Sequence, residues 1–342
     1  MQLDTSPNRV FLPVDSGENK PAVPPAGYPM HRFEGTAMGT HWSVQAYAPK
    51  NVEPQRLRMA VMQELAQAIE LFSTWQADSE VARFNAAPAG DWQFSAPCWA
   101  LLESSLAWAD ASGGAVDPTL GALVNLWGFG PEGPRPERAP LPTQHEIDRG
   151  LRASGWRNVQ MDSTRRTLHK PAGLQLDFSG IAKGWAVDQV SSRLVREGAC
   201  VHLVEIGGEL KSRGLRHDLQ PWWVLLQNSG AGPRSLLALV DMAVATSGDT
   251  HHHFNHQGRR YAHTLDGQSG WPIAHGTASV TVLHREAMQA DVHATILTVM
   301  EPQRAMDWAE RYGLAALLTV RTNEGVEEHL STAMMAMLDS SE

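Results

Sequence analysis

"LQLDFSGIAKGWAVDQV", residues 174–190, is where the chain changes character. Leu174, Leu176 and Phe178 alternate as a strand does, Ser179 is a good helix N-cap, and Ala182, Lys183, Trp185, Ala186 and Val187 continue with helical spacing. Upstream of this joint the apolar pattern is mostly helical, with spans expected at 54–72, 96–112, 118–126 and 144–154. Downstream it turns strand-rich, at 201–206, 222–227, 236–246, 261–265 and 278–284, with helices at 180–197, 286–300 and 302–312 between. This mixed order, with several hairpins, argues for an α+β fold of mostly antiparallel sheet and against a regularly alternating parallel one. Near the start, "HRFEGTAMGTHWSVQAYA" (residues 31–48) carries a strand alternation on Trp42, Val44 and Ala46. The first 29 residues are polar and proline-rich, ending in "KPAVPPAGYP". They read as a tail or strap without a core of its own, leaving residues 30–342 as the folded domain.

Bulk composition narrows the function. The chain has 342 residues, 42% hydrophobic and 19% charged, which is globular and large enough for a substantial core. A formal charge of -9 argues against a nucleic-acid footprint, which needs a basic stripe. Cys98 and Cys200 are the only cysteines, so neither a disulfide framework nor a zinc–cysteine site is expected. No run approaches the roughly 18 apolar residues of a membrane helix, and "MQLDTSPNRVFLPVDSGENK" lacks the pattern of a secretory signal. As written, the chain reads as soluble and cytoplasmic. A processed or truncated start would void that reading.

The joint at 179–184 also raises a question of chemistry. A strand–turn–helix with free amides at the helix start is a natural anion site, and an ordinary capped helix with a solvated Lys183 fits the residues equally well. It is not a P-loop, because G-x-x-x-x-G-K-[ST] is absent. "GFGPEG", residues 128–133, matches G-x-G-x-x-G by letter, but "PRPERAPLP" follows it and cannot open a helix, so a proline-rich loop is expected there. In "EAMQADVHATILTVM", residues 286–300, Asp291 and Thr295 stand four apart and share one helix face. A carboxylate and a hydroxyl so placed suit a hard cation such as Mg²⁺, and an ordinary side-chain hydrogen bond suits them too. His251, His252, His253, His256 and His263 cluster in "SGDTHHHFNHQGRRYAHTLDG". Adjacent histidines in a hairpin point in different directions, which argues against one metal site. His263, in strand-like "RRYAHTL", is either a base in a cleft or a hydrogen-bonded core histidine.

Eight blocks, in order, resemble the ApbE family of FAD:protein FMN transferases across roughly residues 33 to 300. They are "GTAMGTHWSV", "FSTWQADSEVARFN", "GGAVDPTLGALVNLWGFGP", "LDFSGIAKGWAVDQV", "LVEIGGEL", "AVATSGD", "YAHTLDGQSGWP" and "ASVTVLHREAMQADVHAT". The resemblance implies one large α+β domain of two intertwined subdomains. It also implies an enzyme that binds FAD and Mg²⁺, passes FMN to a threonine or serine hydroxyl of a target protein bearing an S-G-A-[ST]-like motif, and releases AMP. By this resemblance Ala182 (through its carbonyl), Asp291 and Thr295 hold the metal. FAD contacts fall on Met38, Trp75, Ala115, Val116, Asp117, Ser179 and Leu265, and Lys183 is either a phosphate contact or part of a structural ion pair. His263 is the candidate base, working with the Asp291 metal site.

Several positions depart from the family pattern. Trp75 stands for the usual tyrosine, Val116 for a phenylalanine, "DGQSG" for "DPRTG", and His293 for a small apolar residue; none removes a metal ligand. Two other functions fit the same motifs: a Mg²⁺-dependent FAD pyrophosphatase giving FMN and AMP, and a non-catalytic FAD-binding protein. Many relatives are exported and anchored through an N-terminal cysteine. A periplasmic or membrane-anchored location is therefore the alternative to a cytoplasmic one.

Overall fold

The computed structural model describes residues 9–13, 20–136, 139–226, 234–249 and 253–339. The chain forms two interleaved units, running from the first to the second and back twice. One comprises Met1–Ala66, Lys183–Thr250 and Gly276–Glu342, the other Gln67–Ala182 and His251–His275. This is the expected α+β architecture with mostly antiparallel strands.

The first unit holds β1 (Arg9–Phe11), β2 (Met30–Ala37), β3 (Thr40–Tyr47) and most of α1 (Pro54–Phe72), with elements numbered along the whole chain. It continues with α6 (Ala182–Arg196, from Lys183), β7 (Val201–Ile206), β8 (Glu209–Arg213), β9 (Trp222–Leu226), β10 (Ser235–Leu239) and β11 (Ala243–Gly248). It closes with β14 (Thr277–His284), α7 (Ala287–Val299), α8 (Pro302–Arg311), β15 (Ala315–Thr322), β16 (Gly325–Leu330) and α9 (Thr332–Met335). Its main sheet has the order β16-β15-β14-β11-β8-β7-β3-β2, and a smaller one the order β1-β10-β9. Strand β14 is buried at every position but its last, because α7 packs on β11 and β14 while Leu283 joins the apolar cluster of Phe11, Tyr47, Trp222, Val244 and Leu317.

The expected spans at 54–72 and 96–112 match their helices end to end, and Trp42, Val44 and Ala46 point inward from β3 as their alternation requires. The turn between β2 and β3 is Met38–Gly39, both with positive φ (52° and 72°), the two-residue hairpin whose twist matches its strands. The expected strap is partly built into the fold. Its residues 9–11 pair in parallel with β10, and Phe11 is fully buried. The single strand expected at 236–246 is two strands in two sheets. Asp241 breaks it with φ 50°, held there by the Gly214 N–H that its carboxylate accepts at 2.9 Å. The hairpin β15–β16 was not read from the sequence, although "TNEG" marks its turn.

The second unit contains α2 (Glu80–Ala86), β4 (Gly90–Gln93), α3 (Ala96–Ser112), α4 (Gly121–Leu126) and α5 (Gln144–Ala153). To these it adds β5 (Gln160–Asp162), β6 (Thr167–Lys170), β12 (His253–His256) and β13 (Arg259–Ala262). Its strands form two small antiparallel sheets, β4-β6-β5 and β12-β13. Residues 174–178 alternate in burial as expected, but they are not a ladder strand. The side-chain amide of Asn85 pairs with both the N–H and the C=O of Leu176 (2.7 and 2.9 Å), and the Asp177 N–H goes to Pro118 O at 2.9 Å. One asparagine and one loop carbonyl thus do the work of a neighbouring strand. Helix α6 begins at Ala182, later than a Ser179 cap would start it, and the Ser179 N–H turns back to Asp177 Oδ1 at 2.8 Å. Among the described residues no helix is long and apolar enough to cross a membrane.

Candidate functional site

In the first unit, α6 and α7 meet backbone to backbone. A Cβ on Gly184 would stand 2.3 Å from Ala287 O and 2.7 Å from Met288 Cα, so the glycine of the "AKG" run is required by close approach and not by its own φ. The Gly184 N–H donates to Asp291 Oδ2 at 2.9 Å. Asp291 is buried, and Thr295, one turn further along α7 on the same face, is half-buried.

Lys183 donates to Glu209 Oε1 in a close ion pair; Glu209 is only 1% exposed, and its Oε2 has no hydrogen-bond partner. Burial pushes Glu209 up to about 7, against the opposing pull of Lys183 and with added repulsion from Asp291. Burial likewise raises Asp291 above the usual carboxylate range, offset in part by Lys183 and the Gly184 N–H. For Lys183 burial acts downward, but Glu209 and Asp291 outweigh it and hold the ammonium above its ordinary value. When both are ionised, these two carboxylates outnumber the one ammonium, and the raised values show that nothing else in this corner fully offsets their charge. Hard oxygen donors so placed suit a divalent cation such as Mg²⁺.

Glu209 was missed in the sequence, where it is one carboxylate in "EIGGEL". Gly207 and Gly208 both adopt positive φ (62° and 98°) and turn the chain so that β8 starts at Glu209. The Gly207 N–H bonds His41 O at 2.9 Å, which puts this turn and the Met38 hairpin at one end of the main sheet.

The second unit gathers several of the other expected residues. The Gly114 carbonyl lies against Gly267, and Gln268 donates to Gly113 O at 3.3 Å, so residues 113–120 adjoin the loop after Leu265. Gln175 O accepts from Gly121, bringing residues 174–179 to the same stretch. Asp117 is engaged by the fold itself. Its Oδ1 accepts the Thr119 N–H and hydroxyl (2.8 and 2.6 Å) and its Oδ2 the Trp156 N–H (3.4 Å). Burial raises its pKa, and those hydrogen bonds oppose the rise.

Ala115 and Val116 are half-buried beside Asp117, Ser179 is exposed, and Trp75 is 65% exposed on a loop whose Ser73 hydroxyl accepts the Trp75 and Gln76 N–H groups. Phe72 meets Phe178 edge-on at 5.9 Å and ties that loop to the segment leading into Ser179. Leu265 is buried and bridges to Pro272; His263 is half-buried with its ring edge-on to Phe129 at 6.3 Å. The "VNLWGFGP" block is core. Trp127 is fully buried, stacks with Tyr261 at 5.9 Å, and donates its indole N–H to Gly270 O at 2.8 Å.

Some sequence-level hints change here. The turn's amides are not free for an anion: Ser179 N–H goes to Asp177, those of Ile181 and Ala182 go to Phe178 O, and Gly184 N–H goes to Asp291. Lys183 takes the ion-pair alternative. Asp249, the last residue of the "AVATSGD" block and without a reading from the sequence alone, forms a two-pronged pair with Arg321 at 2.7 and 3.0 Å. His251 and His252 lie outside the described residues, and among those described no group of three or more His, Cys, Asp or Glu is placed to hold a metal.

Residues 38–318 match the model of the ApbE family. The FAD:protein FMN transferase of Vibrio cholerae is 34% identical over 90% of this chain and 92% of its own. The enzyme of the same name from Haemophilus influenzae is 35% identical over 79% and 80%. Among solved structures, apo flavinyl transferase ApbE from Pseudomonas stutzeri superposes with a TM-score of 0.84, at 36% identity over 92% of this chain and 98% of that one. Flavin transferase ApbE from Vibrio cholerae gives 0.82, at 32% identity over 91% and 100%.

Proposed function

The chain belongs to the ApbE family, and on that premise we propose that it transfers FMN from FAD to a threonine or serine hydroxyl of a target flavoprotein, dependent on Mg²⁺. The observation that carries the metal part is the buried corner in which two carboxyl groups, Asp291 and Glu209, face a single ammonium, Lys183, and are both raised by burial, an arrangement that a divalent cation would hold ionised. Ala182 through its carbonyl, Asp291 and Thr295 are the ligands on this reading. Mg²⁺, when bound, offsets pyrophosphate charge and polarises the phosphorus. Phosphoryl transfer asks the protein mainly for positioning and for electrostatic support.

By the family resemblance, the residues that contact FAD are Met38, Trp75, Ala115, Val116, Asp117, Ser179 and Leu265. Trp75 offers an exposed ring for stacking in place of the family's tyrosine. Lys183 acts on the phosphates through the charge it shares with Glu209 and Asp291. His263 accepts the proton of the incoming hydroxyl, whose oxygen bonds to the FMN phosphorus as the bond to the AMP oxygen breaks and AMP leaves.

The test incubates the purified chain with FAD, Mg²⁺ and a carrier bearing an S-G-A-[ST] motif. Flavin fluorescence on the carrier in a denaturing gel, with stoichiometric AMP, is the expected outcome. Free FMN with AMP and an unlabelled carrier would replace transfer with pyrophosphate hydrolysis, and unchanged FAD would leave a binding protein. Asp291→Ala is expected to abolish labelling and Mg²⁺ binding together.

A further inference from the structure

Helix α7 carries Asp291 and Thr295, yet its own N-terminus is uncapped from within. Glu286, at the cap position, makes no side-chain capping bond. The first-turn amides are accepted by another helix. Asp188, in the second turn of α6, takes the Ala287 N–H on Oδ1 at 3.1 Å and the Met288 N–H on Oδ2 at 2.9 Å. Lys211 on β8 donates to the same Oδ1 at 2.5 Å and fixes the carboxylate's rotamer. One turn further along, the relation is reversed: α7 offers the acceptor, Asp291, and α6 the donor, Gly184 N–H.

We propose that Asp188 is a positioning residue for the reaction, setting the axial position of α7 against α6 and thereby holding Asp291 and Thr295 in place. Two anchors define how one helix lies along another, and Gly184, with no side chain, lets the backbones close to that distance. If Asp188 is removed, the first turn of α7 loses its acceptors for two amides and frays, as any uncapped helix start does. Of the two hydrogen-bonded anchors between α6 and α7, only the Gly184 bond to Asp291 then remains. A carboxylate at a helix N-terminus is also favoured by the helix dipole, so an asparagine or serine, with one oxygen and no charge, loses that contribution and one of the two acceptor atoms. Asp188 itself is turned toward the α7 amides and Lys211, which makes its role indirect.

This inference rests on the metal reading of Asp291 and Thr295, and the experiment separates the two. Mg²⁺ is titrated calorimetrically into the full chain and into Asp188→Asn, Lys211→Met and Asp291→Ala, and amide hydrogen exchange is followed along residues 287–295. Asp188→Ser, with a short uncharged acceptor, carries the same test should the asparagine variant fail to fold. In the Asp188 variants, exchange at Ala287, Met288 and Asp291 is expected to quicken. Their Mg²⁺ dissociation constant should rise about fivefold, the factor corresponding to about 1 kcal/mol of lost capping. Transfer by these variants should return to the wild-type kcat at saturating Mg²⁺, a split that a merely unfolded fraction would not give. Lys211→Met, which keeps both amide acceptors, should shift the constant less. Wild-type Mg²⁺ affinity in both Asp188 variants, alongside lost binding in Asp291→Ala, would overturn the positioning role and leave the metal reading standing. Wild-type affinity in Asp291→Ala would overturn the metal reading itself, and this inference with it.

Discussion

Acid should unfold the first unit through a histidine that has no part in the chemistry. His202 on β7 is fully buried; its Nδ1 lies 2.8 Å from Ala199 O and its Nε2 2.8 Å from the Ser191 hydroxyl on α6. The carbonyl can only accept, so Nδ1 carries the hydrogen and the neutral ring takes the serine proton on Nε2. Burial, the largest cause, drives the pKa from 6.5 down to about 4; the Ala199 bond opposes it, and Arg213 and Lys211 add to the fall. Because the folded value is depressed, the unfolded chain binds the extra proton below pH 6.5. The stability is therefore complete above that value and drains away as pH falls towards 4. A separation of about 2.5 units is worth ~3 kcal/mol in full, of which ~2 kcal/mol is already lost at pH 5.

His202→Gln, whose amide can still donate to Ala199 O and accept from Ser191, removes the titration while keeping the polar partners. Urea unfolding followed by tryptophan fluorescence at pH 7.5 and pH 5.0 measures the difference. Wild type should lose ~2 kcal/mol more than the variant over that interval, since every other titrating group, the similarly depressed His293 included, is common to both. Equal losses in the two proteins would refute the assignment of His202 as a buried neutral ring.

Other changes report on the candidate site and on the second unit. Gly184→Ala places a methyl group against the Ala287 carbonyl and should cost ~2 kcal/mol or more in urea unfolding, with Mg²⁺ affinity falling as α7 is pushed away. Glu209→Gln removes one of two carboxylates beside Lys183 and should weaken Mg²⁺ binding, read by calorimetry, by on the order of tenfold. Lys170, 3% exposed in the second unit, gives its ammonium protons to Phe84 O, Asn85 O and Ala87 O at 2.6, 2.8 and 2.5 Å. Lys170→Met removes the donor that these carbonyls at the end of α2 share, leaving Phe84 O only the Ala87 N–H, and should cost ~2 kcal/mol in the same assay without altering Mg²⁺ affinity.

Much of the fold was legible because it is local. The apolar spacing of α1, the alternation of Trp42, Val44 and Ala46, and the loop of residues 130–136 after Phe129 depend on neighbours in sequence, and the structure has each as expected. The Asp291–Thr295 face was legible too, since a four-residue spacing on a helix needs no tertiary information. Where the sequence misled, a distant group had replaced the local rule. Residues 174–178 alternate like a strand but are paired by the side chain of Asn85. Residues 236–246 look continuous but are broken at Asp241 by a bond from Gly214.

The run "SGIAKG" shows the division most clearly. Its residue types alone predicted a turn into a helix with a lysine beside it. Glycine and lysine at such a joint suggest phosphate, because free amides and a cation are what one-dimensional reading can see. Only the tertiary structure decided that Gly184 is small for the sake of α7, that its amide belongs to Asp291, and that Lys183 meets a glutamate 26 residues away. Charge, size and hydrogen-bond capacity were all written in the sequence. Which group uses them was set by chain segments that meet only after folding.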